Sequence, residues 1–347
     1  MTIRQLVLAA IVAALAASAA ASHVRADDHG SAVSNGVTFI RSTQDDTGGF
    51  GPFGQTVDAI IAMRAAGLEP GTVRSGSHSA EDFFAAHIAE AGESPALAAK
   101  AALGAMALDL DPTQAGGTDL TALTRSGFDP STGLYAADAF SQALVILGLA
   151  CTGNEVPDAA YDALRIAAVE DGGWGFAGAS DPDTTALSIQ ALLTDSRSGE
   201  DAHIEAALNY LETTQMDDGG WGYGESNTSS TAFVVQAALA AGFEPATRFT
   251  AGDPISYLLS QQGDDGGFAG YDRGFATNQV VPALAGRSYC DAPATPVTGP
   301  APGPPNAGTG IADPDRPSPV PAAGGVGRLG LALVILTGVA SLTARRR

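Results

Sequence analysis

The feature that most constrains this chain is an Asp-Gly-Gly-aromatic tetrapeptide that recurs with a constant spacing. It occurs at Asp171–Trp174, Asp218–Trp221 and Asp265–Phe268, so the aromatic residues at positions 174, 221 and 268 are 47 residues apart in both steps. A fixed period of this length is typical of repeat architectures, in which one supersecondary unit packs on the next because it cannot bury its apolar face alone. The spacing therefore predicts an array of similar units.

Each Gly-rich turn separates two kinds of helical segment. The segment after the turn is apolar and rich in alanine, whereas the one before it is amphipathic, with residues such as Ile204, Leu208 and Leu211 on one face. The predicted inner helices are Thr56–Ala66, Pro95–Leu108, Ala139–Ala150, Thr184–Thr194, Ser230–Ala241 and Thr277–Ala285. The predicted outer helices are Ser31–Gln44, Ala80–Ala91, Asp119–Ser126, Asp158–Val169, Asp201–Gln215 and Asp253–Gln262. Inner helices that are apolar on most faces must be buried on both sides, which predicts an all-α fold, an α6/α6 toroid without a substantial sheet.

The turn residues are predicted to be structural. Adjacent glycines permit the positive φ angles needed between two helices, and the aromatic ring packs over the joint. The predicted structural residues are Gly172, Gly173, Trp174, Gly219, Gly220, Trp221, Gly266, Gly267 and Phe268. Calcium binding by paired acids such as Asp217-Asp218 is the alternative, but the ligand spacing of a calcium loop is missing.

Two of these turns carry a more specific resemblance. The segments Gln215–Trp221 and Gln262–Phe268 resemble the QW repeat of squalene cyclases and protein prenyltransferase β-subunits; Gln44–Phe50 is a looser copy, and the copy at Trp174 has Ala168 in place of Gln. The resemblance covers roughly residues 30–290. It implies the α/α toroid fold, which the cobalamin-binding domains of intrinsic factor and transcobalamin and the thioester domains of complement share. The fold does not fix the activity.

The segment from Asp181 to Ala186 resembles the Asp-x-Asp-Asp-Thr-Ala acid motif of class II terpene cyclases, with Thr184 in place of the last Asp. Asp183 matches the proton donor of that motif, and Asp181 is the second candidate acid. Protonation of an alkene needs a carboxylic acid that a dry pocket keeps neutral. The alternative is that these acids only cap a helix. The few aromatics on the inner helices, and one toroid where triterpene cyclases have two domains, favour capping.

The starts of the inner helices are predicted to face the mouth of the barrel, which is a concave site. Hydroxyl, amide and carboxyl groups there suit a large polar ligand better than a polyprenyl chain. The candidate ligand-binding residues are Gln55, Asp58, Asp138, Gln142, Asp183, Thr184, Thr231, Asn278 and Gln279. Segments 139–147 and 181–192 are similar to inner helices of cobalamin carriers, which suggests a bound corrinoid, although the carriers' clamping β-domain has no counterpart; no other cofactor is predicted.

Several classes of function lack their sequence signature. The five histidines are scattered, no Cys or His pair has zinc-ligand spacing, and no metal site is predicted. Cys151-Thr-Gly-Asn-Glu155 lacks the Gln of a complement thioester, and no phosphate-binding loop follows a strand. With 38 acidic and 17 basic residues, the net charge of −21 argues against nucleic acid, because phosphate binding needs clustered Lys and Arg.

The two ends of the chain are predicted to be targeting and anchoring segments. Residues 1–26 have the pattern of a secretory signal peptide, residues 27–290 form the toroid, residues 291–325 are a Pro/Gly-rich stalk, and residues 326–347 are a hydrophobic transmembrane anchor with an Arg tail. The toroid is thus expected outside the cell, attached to the membrane. Pro305–Gly310 resembles a degenerate cell-wall sorting motif, so wall attachment stays open, as does a Cys151–Cys290 disulfide.

These observations lead to one expectation and two alternatives. The expectation is an extracellular, surface-anchored toroid that binds a small molecule or a cell-surface partner without catalysis. The first alternative is an enzyme of the terpene cyclase or prenyltransferase type, with Asp183 as general acid, and the second is a structural surface module. Aromatic lining of the cavity would distinguish the enzyme from the binding module.

Overall fold

The computed structural model describes residues 29–294, and these fold into α-helices with two short β-hairpins. The all-α prediction is confirmed. The helices of the inner ring are α2 (Phe53–Ala65), α4 (Pro95–Ala107), α6 (Ala139–Cys151), α8 (Pro182–Leu193), α10 (Thr228–Ala240) and α13 (Arg273–Leu284). The outer helices are α1 (Gly30–Ser42), α3 (Ala80–His87), α5 (Leu120–Arg125), α7 (Asp158–Ile166), α9 (Ala202–Thr214) and α12 (Pro254–Ser260). The remaining short elements are α11 (Pro245–Arg248), α14 (Asp291–Ala294), the hairpins β1 (Arg74–Ser75) with β2 (His78–Ser79) and β3 (Gly175–Phe176) with β4 (Ala179–Ser180), and three 3₁₀ helices (Pro70–Thr72, Ile88–Glu93 and Ser198–Glu200).

Within the described residues, the six inner helices form a closed ring. Each packs against the next along the chain, and α13 packs back against α2. Each outer helix covers the inner helix that precedes it, and α1 covers α13 where the ring closes. Because the inner helices are covered on both sides, nearly every residue of α4 and α10 is buried, which is why these segments are apolar all round.

Several inner helices begin earlier than predicted. The helix α13 starts at Arg273 and not at Thr277, because Asp272 caps it by accepting a hydrogen bond from the Phe275 N–H. The helix α2 likewise starts at Phe53, directly after Pro52. A capping side chain sets the start of α13 and Pro52 precedes that of α2, whereas the apolar pattern marks only the buried middle of these helices.

The repeated aromatic residue forms the joint between an outer and an inner helix. The buried Trp221 donates its backbone N–H to Thr231 Oγ1 (3.0 Å) and its indole Nε1–H to the carbonyl of Leu211 (2.7 Å). Trp174 makes the equivalent bonds to Thr185 and Leu164 at 2.9 and 2.7 Å. The ring therefore fastens the end of one helix to the start of the next, and the Thr of the inner helix belongs to this joint.

The Gln of the repeat ties neighbouring units together. Gln215 donates from Nε2 to the carbonyls of Gly219 (3.0 Å), in its own turn, and Gly252 (2.9 Å), in the next unit. Gln262 makes the same bridge to Ala32, 230 residues away, and so closes the ring. Gly219 adopts φ +93°, and a Cβ there would lie 2.6 Å from the Asp253 carbonyl oxygen, so only glycine fits between the units.

The end of the barrel at which the inner helices terminate is covered by the chain that follows α13. Cys290 forms a disulfide with Cys151, the last residue of α6, so the pairing that the sequence left open is made. The backbone N–H of Tyr289 donates to Gln190 Oε1 of α8 at 2.9 Å, and α14 contacts α2 and α4. This segment does not cover the opposite end, where the inner helices begin.

The predicted signal peptide lies outside the described residues, as do the anchor and almost all of the stalk. Among residues 29–294, none of the helices has both the length and the apolar character that a bilayer span requires.

Candidate active site

The start of α8 holds the two acids of the predicted motif. Asp181 is the N-cap: its Oδ1 accepts the Thr184 N–H at 2.8 Å, and its Oδ2 accepts the Thr184 hydroxyl at 3.0 Å. Pro182 follows at the first helical position, where a missing N–H costs nothing. The capping alternative therefore describes Asp181 well, and Thr184, the residue that departs from the cyclase motif, serves the cap.

Asp183 has no such partner. Its side chain projects from the first turn of α8, and its Oδ1 is inaccessible to solvent and makes no hydrogen bond within the described part of the chain, although the residue as a whole is partly exposed. Burial raises the pKa of Asp183 from 3.8 to about 7; Ser230 and Tyr223 lower it, and the charge of Asp181 raises it further. An acid in this condition holds its proton near neutral pH.

Two tyrosines lie beside these acids. The Tyr223 side chain is 67% exposed but lies close to both Asp181 and Asp183, and the loss of water on that side together with their negative charges raises its pKa well above the usual value. Burial raises the pKa of Tyr210, on α9, to about 12. Both phenols therefore remain neutral hydrogen-bond donors over the pH range in which the carboxyls titrate.

A cavity of about 370 Å³ opens beside Asp181, and Asp183 is not among its lining residues. This volume falls in the range of roughly 300–1,000 Å³ that small-molecule sites occupy. Its walls come from the turn before α8, the end of α9 and the turn before α10. The lining residues are Ser180, Asp181, Pro182, Tyr210, Thr214, Met216, Trp221, Gly222 and Tyr223. The wall is thus largely apolar and aromatic, with a carboxyl at one side.

Aromatic rings also meet inside the ring of helices. Phe140 of α6 and Phe233 of α10 pack edge to face with centroids 6.3 Å apart, although α8 lies between their helices in the ring. Since the contact spans from one neighbour of α8 to the other, both rings face the interior beside α8. Phe233 lies one helical turn after Ser230, the residue that approaches Asp183. Interior ring faces near a buried acid are the surroundings that a cationic intermediate requires.

The other predicted ligand-binding residues are mostly engaged within the fold. Gln142 braces the turn before α6, donating to the carbonyls of Gly133 and Ala160 at 3.1 Å, and Thr231 holds Trp221. Asp138 caps α6. At the rim, the Gln55 amide reaches Asp272 (3.3 Å), and Asn278 donates to the Gln55 carbonyl (3.3 Å). Deeper in, Asp58 pairs with Lys100, beside Gln279. The structure therefore brings together Asp181, Asp183 and Thr184, and uses the others in caps, braces and one ion pair.

Sequence reasoning missed the partners that give the site its character. Tyr223, Tyr210 and Ser230 lie 27 to 47 positions after Asp183, on elements that approach it only through the toroid. Lys100 was missed because it is a single cation in an alanine-rich helix. The one available signal was the repeat itself: Tyr223 stands two residues after Trp221, as Phe176 does after Trp174.

The comparisons with known proteins agree with this geometry at the level of the fold. No protein-family model matches the sequence, and neither does any curated protein. Among solved structures, the type II terpene cyclase MstE from Scytonema aligns with a TM-score of 0.56 at 16% identity, over 75% of this chain and 98% of its own. Its complex with geranylgeranyl dihydroxybenzoate as substrate gives 0.58 at 14% identity, over 79% and 100%. A protein from Actinoplanes gives 0.58 at 16% identity, over 74% and 98%.

At these identities the likeness establishes the fold alone: the chain has the α/α toroid fold of the terpene cyclases that it matches. The expectation of a non-catalytic binding module is wrong, whereas the bound corrinoid and the surface partner stay predictions. The matched structures include cyclases with a substrate and with the product merosterolic acid A, and they favour the enzyme alternative instead. Two of the few aromatics on the inner helices, Phe140 and Phe233, contact each other from separate helices.

Proposed function

We propose that this protein is a cyclase of isoprenoid substrates that starts its reaction by protonating an alkene, with Asp183 as the general acid. The observation that carries the proposal is the state of that carboxyl: its Oδ1 is buried and without a hydrogen-bond partner within residues 29–294, and its pKa is raised to about 7. The toroid fold shared with type II terpene cyclases supports the same reaction type.

The chemistry begins at the start of α8. Asp183 transfers its proton to a terminal carbon–carbon double bond, whose π electrons form the new C–H bond and leave a tertiary cation on the neighbouring carbon. Attack by the next double bond then closes a ring. Phe140 and Phe233 present ring faces and edges in the interior beside α8, where a ring face stabilises a nearby cation by about 0.5–2 kcal/mol.

Thr184, which stands where the cyclase motif has its last Asp, affects how the pKa of Asp183 is set. An aspartate at this position would add a second negative charge beside Asp183, whereas the Thr184 hydroxyl donates to Asp181 and leaves that carboxylate as the one adjacent charge on α8. The pKa of Asp183 then rises mainly through burial. The acid regains its proton from the rim, where Tyr223 and the cavity beside Asp181 face solvent.

The disulfide supports a proposal about where the enzyme works. Cys151 and Cys290 are joined, and such bonds persist in oxidising compartments. Together with the expected signal peptide and anchor, this favours a toroid that is exported and held at the cell surface. A lipid surface would also be the natural source of an apolar isoprenoid substrate.

The test is turnover of linear polyprenyl substrates by full-length protein purified in detergent. Squalene, geranylgeranyl diphosphate and geranylgeranyl dihydroxybenzoate are incubated with the wild type, with Asp183→Asn and with Asp119→Asn, and products are separated by mass spectrometry. The amide introduced by Asp119→Asn would still cap the outer helix α5, so this control should match the wild type. Ring formation that disappears only in Asp183→Asn supports the proposal. Turnover that persists in Asp183→Asn would show that Asp183 is not the general acid and would refute the proposal.

A further inference from the structure

A second buried carboxyl faces the interior of the barrel, and the initiating step leaves it unused. Asp58, on α2, pairs with Lys100, on α4, at 2.6 Å, and the two side chains are 4% and 12% exposed. Gln279, on α13, also contacts the Asp58 carboxyl. Since α4 and α13 are the two neighbours of α2 in the ring, a side chain that both can reach points toward the barrel axis.

The fold does not require this ion pair. Removing two charges from water costs several kcal/mol per ion, and apolar residues of similar volume often replace a buried pair without loss of stability. The rest of the inner ring is built mainly from Ala, Leu, Val and Ile, so an apolar pair would suit the surroundings. An ion pair inside the barrel of a protein with a proposed cationic intermediate is therefore a candidate for chemistry.

The position of Asp58 is complementary to that of Asp183. The helices α2 and α8 lie opposite each other in the ring. Asp183 is the second residue of α8, whereas Asp58 is the sixth residue of α2, so at 1.5 Å per residue Asp58 lies about 6 Å deeper. Ring closure moves the positive charge along the chain, away from the protonated end. A substrate protonated at the rim therefore carries its last cation deeper in the barrel.

We propose that Asp58 is the base that ends the reaction, and this rests on the function proposed above. The carboxylate of Asp58 takes a proton from a carbon next to the final cation; the C–H bond breaks, its electron pair forms the product double bond, and the proton stays on Asp58. Charge balances because the pair begins neutral overall and ends with Lys100 as the cation. Proton donation by Asp183 and acceptance by Asp58 make the net reaction an isomerisation.

The experiment compares the product mixtures of full-length variants with one polyprenyl substrate that the wild type converts. Asp58→Asn removes the base but leaves Lys100 unpaired, which endangers folding. The double variant Asp58→Leu/Lys100→Met removes both charges and keeps the fold testable. Glu212→Gln breaks an ion pair with Arg248 on the outer surface and is the matched control.

The expected result is that Asp58→Asn and the double variant still consume substrate, within about tenfold of the wild-type rate, but replace its main product. Other double-bond isomers, or alcohols formed when water captures the cation, should make up most of the mixture. Glu212→Gln should give the wild-type mixture. An unchanged mixture from both Asp58 variants would overturn the inference and leave the role of Asp183 intact. Failure of the wild type to cyclise any of the three substrates would instead refute the proposed function, and the inference with it.

Discussion

Replacing Asp183 by Asn should abolish activity and at the same time stabilise the protein above neutral pH. The pKa of this carboxyl rises from 3.8 in the unfolded chain to about 7 in the fold, mainly through burial. At about 1.4 kcal/mol per pKa unit, the ionised carboxylate costs the fold up to about 4 kcal/mol. The residue is partly exposed, and its amide replacement also needs partners, so we expect a net gain of about 1–3 kcal/mol.

The sign follows from proton binding. Between pH 3.8 and about 7 the folded protein binds the Asp183 proton more tightly than the unfolded chain does, so this group makes wild-type stability fall as pH rises through that window. Below pH 3.8 Asp183 is protonated in both states and does not destabilise the fold, and above about pH 7 the full cost of the ionised carboxylate is present. Asp183→Asn lacks this dependence, so the two proteins should differ little at pH 3.5 and most at pH 8.

Thermal and urea unfolding of both proteins at pH 3.5, 5, 6.5 and 8 measures this difference. A gain of 1–3 kcal/mol corresponds to roughly 2–6 °C in Tm for a domain of this size. Asp119→Asn, which keeps its cap, should follow the wild type at every pH. If Asp183→Asn were less stable than the wild type at pH 8, or if the difference were the same at all four pH values, Asp183 would not be a buried acid with a raised pKa.

Four further outcomes are expected. The kcat/KM of the wild type should be flat below pH 7 and fall about tenfold per pH unit above it, since Asp183 must be protonated; a rise with pH would contradict its role as acid. Phe233→Leu should lower turnover by roughly tenfold with little change in Tm. Undiminished turnover would show that the Phe233 ring does not stabilise the cation. Gln215→Leu should lower the free energy of unfolding in urea by about 2–4 kcal/mol, because it leaves the Gly219 and Gly252 carbonyls without their hydrogen-bond donor. A loss below 1 kcal/mol would refute the bridge between units. The pair Cys151→Ser/Cys290→Ser should cost about 3–5 kcal/mol, as expected for a closed loop of this length, and an equal Tm with and without reductant would show that the closing segment adds no stability.

Much of the architecture could be predicted because each repeat carries its own signals. The period placed three of the joints, and the apolar segments placed the inner ring to within a few residues. Four inner helices begin two to four residues before their predicted starts, as α13 does after Asp272. The candidate acid was also visible, since Asp183 stands in a recognisable segment. The role of Asp183 was not visible, because the same residues fit a helix cap equally well. In the structure, Asp181 does form such a cap.

The sequence by itself determined the ring, its joints and the position of the candidate acid at the start of α8. These depend on local patterns: a Gly-Gly-aromatic turn, a buried Thr and a bridging Gln. Only the tertiary structure decided which polar residues were left without partners and which rings met. The state of Asp183 depends on Tyr223 and Ser230 from the next unit, and the contact of Phe140 with Phe233 spans two units. The physical reason is that a toroid brings together side chains far apart in sequence. Burial and charge interactions depend on the distances between side chains in space and not along the chain.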